Sequence, residues 1–411
     1  MKKIAFIDKN KIVNYMGGVE KVICGFANEF IERGYEVYIV CLDTENGQPA
    51  FHLNEKVKFI NLCYSYGEYH YNHFKYEIIK IQREVMRGIM GRKMTFCGKT
   101  YCDPKEKYFY DEFHERLTKC LLDIRPDIIL PTDVESTVVV NDVLKRIKED
   151  VPVVSMCHSD PEYLAYTEKG ICALKKATRV QVLLPQFAEF FHNMGVDNTV
   201  IIPNAVDMFD IKSRDVSYGK KTIINVARID GGGKRQDIII EAFAAIAKDF
   251  LDWRVEFWGN IANRGYKKKL DRMIKGYGLE DCVSFKGTTN DMLSVYQHAD
   301  IFAFPSRHEG FGIAMVEAMS AGLPVIAYRS CRGPAAIIAD EVNGILCEDG
   351  IENFAKKLRM LMENEARRKE IGKRARESAL KYTPSTVWDQ WERIVEECIS
   401  SKESGIYFRE K

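Results

Sequence analysis

Two glutamates flank a glycine-containing loop in the second half of the chain. Glu309 and Glu317 have seven residues between them, and a predicted helix begins within that interval. A carboxylate can accept hydrogen bonds from two neighbouring sugar hydroxyls, so one glutamate could hold a hexose and the other a ribose. The helix start offers backbone N–H groups to a phosphate. The alternative is that each glutamate only caps the helix dipole. The loop residues are Gly310, Phe311, Gly312 and Ile313.

A histidine and a pair of cations each follow the carboxyl end of a predicted strand. His158 follows an apolar strand at 151–154, and the carboxyl ends of strands are where α/β folds bind ligands. Position alone favours a structural histidine. Arg228 and Lys234 follow a second strand, with three consecutive glycines between them. A structural salt bridge is the alternative for this pair, and the stretch lacks the Gly-x4-Gly-Lys-Ser/Thr pattern of a Walker A loop.

The elements that position these residues form two strand–helix–strand units. In the first, a strand at 3–7 leads through Gly17 and Gly18 into a helix whose apolar residues recur at helical spacing, and a strand at 35–40 follows. The second unit has strands at 222–226 and 254–258 around a helix at 237–247. Each implies a parallel sheet with a right-handed crossover. Two such starts about two hundred residues apart predict two Rossmann-like domains.

Composition agrees with a two-domain globular protein. The chain has 411 residues, of which 46% are hydrophobic and 29% charged, and this excludes a disordered or fibrous protein. A net charge of +1 argues against a nucleic-acid binder. No secretory signal or run of 18 apolar residues is found, so a cytoplasmic protein is expected. The twelve cysteines are expected to be free thiols. Cys97 and Cys102 near His70 and His73 fit no standard zinc spacing.

The stretch 74–93 is basic and amphipathic. Its apolar residues recur at helical spacing beside several lysines and arginines. Such a helix can lie on an anionic membrane surface. The alternative is an ordinary exposed helix with a solvated charged face.

Several motifs together resemble the retaining glycosyltransferases of family 4. The central one is Glu309-x7-Glu317 with its Gly-Phe-Gly insert, followed by Ala-Gly-Leu-Pro-Val-Ile. The likeness covers 1–60 and 150–385, whereas 64–110 matches no motif of the family. The other matching motifs are Gly17-Gly18-Val19-Glu20, His158 in Cys-His-Ser-Asp-Pro, Ile202-Pro203-Asn204-Ala205-Val206-Asp207, Gly333-Pro334 and Asn343-Gly344.

The resemblance implies the GT-B fold, an α/β architecture of two Rossmann-like domains facing a central cleft. Residues 1–205 would hold the acceptor and 206–384 the nucleotide sugar, while a terminal helix in 385–411 would pack back on the first domain. Apolar residues on one face of that helix, among them Trp388 and Trp391, also require it to pack somewhere.

The resemblance also assigns roles. Arg228 and Lys234 would neutralise the donor diphosphate, Glu309 would hold the hexose and Glu317 the ribose. His158 would contact the hexose near the reacting centre. Lys234 lies one residue further from its arginine than in the usual family pattern, a departure that three glycines could absorb. Gly17 and Gly18 would border the cleft, and the backbone of Gly310, Phe311, Gly312 and Ile313 would support the donor.

The implied reaction is transfer of a hexose or N-acetylhexosamine, with retention, from a UDP-type sugar to a glycan or lipid-linked acceptor in surface polysaccharide synthesis. Two cations and the lack of an Asp-x-Asp motif predict that no metal or other cofactor is needed. Peripheral attachment to the inner membrane face is expected through 74–93.

Three other classes compete with this interpretation. A nicotinamide oxidoreductase would need a Gly-x-Gly-x-x-Gly fingerprint, which is missing although Asp43 could serve as its acidic residue. A GT-B epimerase would not follow the transferase pattern over 306–344. A catalytically silent partner subunit of a glycosyltransferase complex is the more serious alternative.

Overall fold

The computed structural model of the chain describes residues 1–9, 12–65, 73–90, 95–96, 99–100, 104–209 and 219–403. Contacts between residues divide the chain into two units. The first consists of Met1–His158, Ala165–Ile202 and Gln390–Lys411, and the second of Ser159–Leu164 and Pro203–Asp389.

The first unit is a parallel sheet with helices between its strands. Its strand order is β3-β2-β1-β6, and β7-β8-β9 form a second parallel group. A parallel bridge between Ile129 and Val153 links the two groups. The elements are β1 (Lys3–Asp8), α1 (Gly18–Glu32), β2 (Glu36–Cys41), β3 (Lys58–Asn61), α2 (Leu62–Ser65), α3 (His73–Met90), β4 (Thr95–Phe96), β5 (Lys99–Thr100), α4 (Pro104–Ile124), β6 (Ile128–Pro131), α5 (Val134–Ile147), β7 (Val154–Cys157), α6 (Glu168–Lys176), β8 (Arg179–Val182), α7 (Pro185–Asn193) and β9 (Thr199–Ile201).

The second unit is a six-stranded parallel sheet with the order β12-β11-β10-β13-β14-β15. Strand order reverses at β10 and β13, the kind of switch point where α/β folds place ligands. Its elements are β10 (Lys221–Val226), α8 (Gln236–Ala244), β11 (Trp253–Trp258), α9 (Arg264–Tyr277), β12 (Val283–Gly287), α10 (Met292–Gln297), β13 (Ile301–Phe304), α11 (Ile313–Ser320), β14 (Val325–Tyr328), α12 (Arg332–Ile337), β15 (Ile345–Cys347), α13 (Ile351–Glu363) and α14 (Glu365–Ala379).

The last helix, α15 (Pro384–Glu403), begins in the second unit and continues into the first from residue 390. In the first unit Trp391 is 2% exposed, and its ring lies 4.9 Å from that of Phe26 on α1. Phe26 in turn contacts Phe6 of β1 at 4.9 Å. An aromatic core therefore joins β1, α1 and the end of the chain.

Both predicted strand–helix–strand starts are present, and the α/β fold with parallel sheets in two parts is confirmed. The helix predicted around 74–93 covers 73–90 as α3. Within the described ranges, no helix combines the length and the apolar character needed to cross a membrane.

Candidate active site

Two loops of the second unit carry most of the predicted site residues. The loop after β10 contains Arg228 and Lys234, and the loop after β13 contains Glu309. A backbone hydrogen bond ties them together, because the Arg307 N–H donates to the Gly233 carbonyl at 2.7 Å. Both loops leave the carboxyl ends of neighbouring parallel strands, so the sheet brings them to one edge.

An ion pair joins the two loops at their centre. Lys234 Nζ lies 2.5 Å from Glu309 Oε1, and the side chains are 23% and 11% exposed. The structure therefore brings together two residues that the sequence analysis placed in one site. It also supplies the salt bridge that was the alternative interpretation for Lys234.

Glycines set the course of both loops. Gly231 has φ +74°, and a Cβ there would meet the Tyr266 ring at 3.0 Å. Gly312 has φ +88° and caps α11 in a left-handed conformation that favours glycine. A Cβ on Gly333 would lie 2.7 Å from the Glu309 carbonyl oxygen, so α12 approaches Glu309 closely. The backbone at Glu309 is therefore fixed from two sides.

The remaining cations near Lys234 differ in their surroundings. Arg228 is 34% exposed in its side chain and forms a long ion pair with Asp230 at 3.7 Å. Its carbonyl accepts a hydrogen bond from Gln236 Nε2 at 3.0 Å. Arg235 has φ +53°, and its guanidinium lies over the Tyr328 ring. Lys234 is therefore the cation that contacts Glu309, despite its longer spacing from Arg228.

Glu317 lies in a different environment. It is 5% exposed, and the Tyr296 hydroxyl donates a hydrogen bond to its Oε2 at 2.7 Å. Burial and the Glu317 carboxylate raise the pKa of Tyr296 well above its ordinary value, so the phenol keeps its proton. Sequence reasoning missed Tyr296, whose position in α10 resembled an ordinary core residue.

The other loop residues contribute backbone or packing. Phe311 is 2% exposed and makes an edge-to-face contact with Tyr382 at 5.0 Å. Ile313 begins α11, where the first amides of a helix have no partner within the helix. Gly310 lies between Glu309 and Phe311 in the loop.

The segment Ser159–Leu164, which belongs to the second unit, adds further side chains near the site loops. The Tyr163 ring packs on the His308 ring, and Glu162 forms an ion pair with Arg332. Burial raises the pKa of Asp160, which accepts a hydrogen bond from the Glu162 N–H at 3.1 Å. Burial, helped by Arg307, lowers the pKa of His308. None of these pairings was predicted.

Three predicted residues belong to the first unit. Gly17 is the N-cap of α1, and a Cβ there would lie 2.2 Å from a carboxylate oxygen of Glu20, which is 6% exposed. Gly18 is the first residue of that helix. His158 follows β7 directly, at the carboxyl end of the strand as expected. The other eight predicted site residues lie in the second unit.

The described part of the chain contains no cluster of metal-binding side chains. Across the residues that the structure describes, no three His, Cys, Asp or Glu side chains group as metal ligands. Of the weighed zinc candidates, Cys97, Cys102 and His70 lie outside the described residues, as does the side chain of His73. Independence of a metal stays a prediction.

The sequence of the chain is similar to those of known glycosyltransferases. Residues 208–378 match the family model described as glycosyl transferases group 1. The chain is 22% identical to an uncharacterized glycosyltransferase of Haemophilus influenzae over 96% of this chain and 100% of that protein. It is 24% identical to an exopolysaccharide phosphotransferase of Streptomyces coelicolor over 94% of this chain, and 29% identical to a poly(ribitol-phosphate) alpha-N-acetylglucosaminyltransferase of Staphylococcus aureus over 54% of it. The chain spans only 40% and 43% of those two relatives.

Solved structures extend the likeness to the whole chain. Sucrose-phosphate synthase of Thermosynechococcus elongatus has a TM-score of 0.75 at 18% identity, covering 98% of this chain and 100% of that one. The Anabaena protein HepE, solved in complex with UDP, has a TM-score of 0.70 at 19% identity over 97% and 100%. These likenesses establish the predicted GT-B fold. Together with the match at 208–378, they support a glycosyltransferase with the GT-B fold.

Proposed function

We propose that the protein transfers a hexose or N-acetylhexosamine from a nucleotide-diphosphate sugar, with UDP as the nucleotide, to a hydroxyl of a glycan or lipid-linked acceptor in surface polysaccharide synthesis. The observation that carries this proposal is the Lys234–Glu309 ion pair between two tied loops at the sheet edge. A cation for phosphate and a carboxylate for sugar hydroxyls already lie in contact there.

The ion pair suits a donor that carries both groups. A diphosphate entering beside Lys234 and Arg228 would meet two positive side chains, and the helix start at Ile313 favours the same charge. Lys234 would then exchange Glu309 for a phosphate oxygen, leaving the carboxylate to accept hydrogen bonds from the hexose. Cations fixed in this way stabilise the charge that develops on the departing diphosphate.

We also propose that the configuration of the sugar is retained, as the resemblance to the retaining glycosyltransferases of family 4 implies. The acceptor oxygen forms its bond to the anomeric carbon on the face from which the diphosphate oxygen departs, and the leaving phosphate takes the hydroxyl proton. His158 would contact the hexose and Glu317 the ribose, while the first unit would hold the acceptor. Two cations replace a metal in balancing the charge, so EDTA should leave the rate unchanged. Loss of activity that magnesium or manganese restores would contradict this.

The choice of UDP draws on the relatives. The Anabaena structure contains UDP, and the Staphylococcus aureus relative is named for transfer of N-acetylglucosamine. We expect UDP and its sugar conjugates to raise the melting temperature without metal, because a ligand that prefers the folded state stabilises it. GDP and ADP are the comparison ligands. Absence of any nucleotide effect would favour the catalytically silent subunit.

Attachment to the inner membrane face is proposed through α3. Its outward side carries Ile78, Ile81, Val85 and Ile89, each between 49% and 64% exposed. Three basic residues of α3 are paired with acidic residues of the same helix, whereas the apolar stripe is exposed. Lys80 pairs with Glu77, and Arg83 and Arg87 pair with Glu84. The apolar stripe is therefore the part of the helix that would enter a lipid interface.

Vesicle binding tests the membrane proposal. The double variant I81D/V85D should abolish binding to vesicles that contain phosphatidylglycerol, since two charges would enter the apolar stripe. Leu251→Asp is the matched control, because Leu251 is 82% exposed in a turn of the second unit. Binding that survives in the double variant, or fails equally in the control, would exclude α3 as the contact.

A further inference from the structure

The helix α9 concentrates positive charge in a protein that is nearly neutral overall. It carries six basic residues and one acidic residue, whereas the whole chain has a formal charge of only +1. The acidic residue is Asp271, and the basic ones are Arg264, Lys267, Lys268, Lys269, Arg272 and Lys275.

The cations of α9 divide into two groups. Those on its flanks are paired, Lys267 with Asp271 at 2.5 Å and Lys269 with Asp237 at 2.9 Å. The outward face lies opposite the buried residues of the helix, Leu270 and Ile274. Four exposed cations line this face, and none of them has a carboxylate partner among the residues described. We call this group, Arg264, Lys268, Arg272 and Lys275, the cationic ridge.

Three of the four ridge cations do not stabilise the helix, and only Lys275, in the last turn, complements the helix dipole. Arg264 and Lys268 are four residues apart, as are Lys268 and Arg272, and like charges at that spacing repel each other. The first turn contains no acidic residue to complement the positive end of the helix dipole. Arg272 only donates to the carbonyl of Lys268, at 3.3 Å. The charges are therefore arranged for a partner outside the helix.

The ridge starts beside the candidate donor site. The Asn263 N–H, just before α9, donates to the carbonyl of Ile229 at 2.9 Å, next to Arg228. Tyr266 packs against Gly231 of the same loop. From there the ridge runs outward for about 16 Å, the length of eleven helical residues.

A shallow cavity of about 360 Å³ lies near its outer end. Two cations and an aromatic ring line the cavity, and the ring, Tyr277, is 52% exposed. An aromatic face beside cations suits a sugar ring that carries negative groups, because the apolar face of the sugar packs on the ring. The lining residues are Lys269, Arg272, Met273, Gly276 and Tyr277.

We propose that the cationic ridge binds the part of the acceptor that extends beyond the hydroxyl held by the first unit, when that acceptor is a linear anionic polysaccharide with phosphate or carboxylate groups repeated along the chain. This deepens the proposed function and rests on it. Successive cations about 6 Å apart can follow repeated charges along one strand. Apart from Met273 and Tyr277 near its outer end, the face has no apolar side chain to enter a bilayer, since Gly265, Asp271 and Gly276 lie beside its cations. A sugar chain therefore fits better than a membrane.

The test compares two triple variants of equal charge change. K268Q/R272Q/K275Q removes three of the four cations of the ridge, and K369Q/K373Q/R374Q removes three exposed cations from α14 in the same unit. Binding is measured to poly(glycerol phosphate), polygalacturonate and neutral dextran. Wild type and the α14 variant should bind at least one anionic polymer, more weakly at higher salt, and the ridge variant should lose roughly tenfold in affinity. Dextran should not bind.

The two anionic polymers distinguish phosphate from carboxylate as the recognised group. Equal losses in both variants, or no loss in the ridge variant, would overturn the proposal. So would a ridge variant that loses binding to phosphatidylglycerol vesicles or duplex DNA while keeping the polymers. The melting shift caused by UDP is recorded on the same proteins and should be equal in all three. If UDP binds none of them, the proposed function fails, whereas the polymer measurement still decides the ridge.

Discussion

Two glutamates of the second unit are both nearly buried beside cations, yet their surroundings differ. Glu309 lies on a loop and contacts one cation, Lys234. Glu256 lies on β11, is 3% exposed in its side chain, and is surrounded by donors. His298 Nε2 at 3.0 Å and Trp258 Nε1 at 3.2 Å lie at its Oε2, and two cations lie beside its Oε1, Arg254 with Nε at 3.2 Å and Lys286 with Nζ at 3.4 Å.

The difference separates a carboxylate that can change partners from one that cannot. Both carboxylate oxygens of Glu256 face donors or cations of the protein, and these hold its pKa at about 2 against the effect of burial. Glu309 can release one lysine to a ligand and still accept hydrogen bonds. A carboxylate with several protein partners contributes to stability, whereas a carboxylate with a single exchangeable partner suits ligand binding. Substitutions at the two positions should therefore have opposite effects.

The largest effect is expected on activity, from Glu309→Gln. The amide keeps the size of the side chain but accepts weaker hydrogen bonds from the hexose hydroxyls, so turnover should fall by roughly a hundredfold or more. UDP binding and the melting temperature should change little. Steady-state kinetics with a UDP-sugar and a melting curve measure the two quantities.

The exposed Glu280→Gln is the matched control for Glu309→Gln, because it makes the same change in the same unit. If the Glu309→Gln protein unfolds, or keeps full turnover, Glu309 does not have the binding role that distinguishes it from Glu256.

The reverse pattern is expected from Glu256→Gln. The substitution removes the negative charge that His298, Arg254 and Lys286 contact, which should lower the free energy of unfolding by roughly 3 kcal/mol. Turnover per folded molecule should stay near that of wild type. Urea denaturation with activity measured below the transition tests this, and loss of activity without loss of stability would place Glu256 in the site.

A smaller effect is expected at Glu317. Tyr296→Phe removes the hydroxyl that donates to Glu317 and leaves a buried carboxylate oxygen with one donor fewer. Stability should fall by about 1–2 kcal/mol. If Glu317 also holds the ribose, the KM for the UDP-sugar should rise while kcat stays constant. A change in kcat alone would show that Tyr296 acts on the reacting centre.

The smallest effect is on the pH dependence of stability. The pKa of Glu256 is lowered to about 2, so its contribution is complete above the ordinary glutamate value of 4.5 and is lost as pH falls towards 2. Glu256 raises the pKa of His298, whose contribution is complete below its ordinary value of 6.5 and is lost as pH rises through the raised value. Stability should therefore peak between about 4.5 and 6.5.

Substitution of the histidine isolates its part of that profile. His298→Gln should flatten the loss of stability on the alkaline side and should also reduce the loss on the acid side, because His298 contributes to the lowered pKa of Glu256. A profile with an unchanged alkaline side would mean that His298 does not titrate with Glu256.

The sequence predicted the parts of the site that depend on local pattern. The loop glycines, Glu309 and Lys234 stand out by spacing next to strands, because a strand, a turn and a helix start are encoded by consecutive residues. The structure adds that Lys234 and Glu309 pair across 75 residues. The roles of all these residues stay predictions.

Pairings between distant side chains could not be predicted from one sequence. Glu162 meets Arg332, and Tyr296 meets Glu317, only because the fold brings distant segments of the chain together. Each residue alone is of a common type at an ordinary position. The cationic ridge was missed for another reason, since a lysine-rich helix is normally a solvated surface, and only the burial of Leu270 and Ile274 defines which cations share the outward face.

The course of α15 affects the order in which the protein can fold during synthesis. Trp391 belongs to the core of the first unit, yet the ribosome makes it only after the whole of 203–389. Until then, Phe26 lacks the ring that covers it. The second unit likewise includes Glu162, from an earlier segment of the chain, as the ion-pair partner of Arg332. A fragment cut at residue 203 would therefore leave each half without one of its own packing partners, and the halves should be produced together.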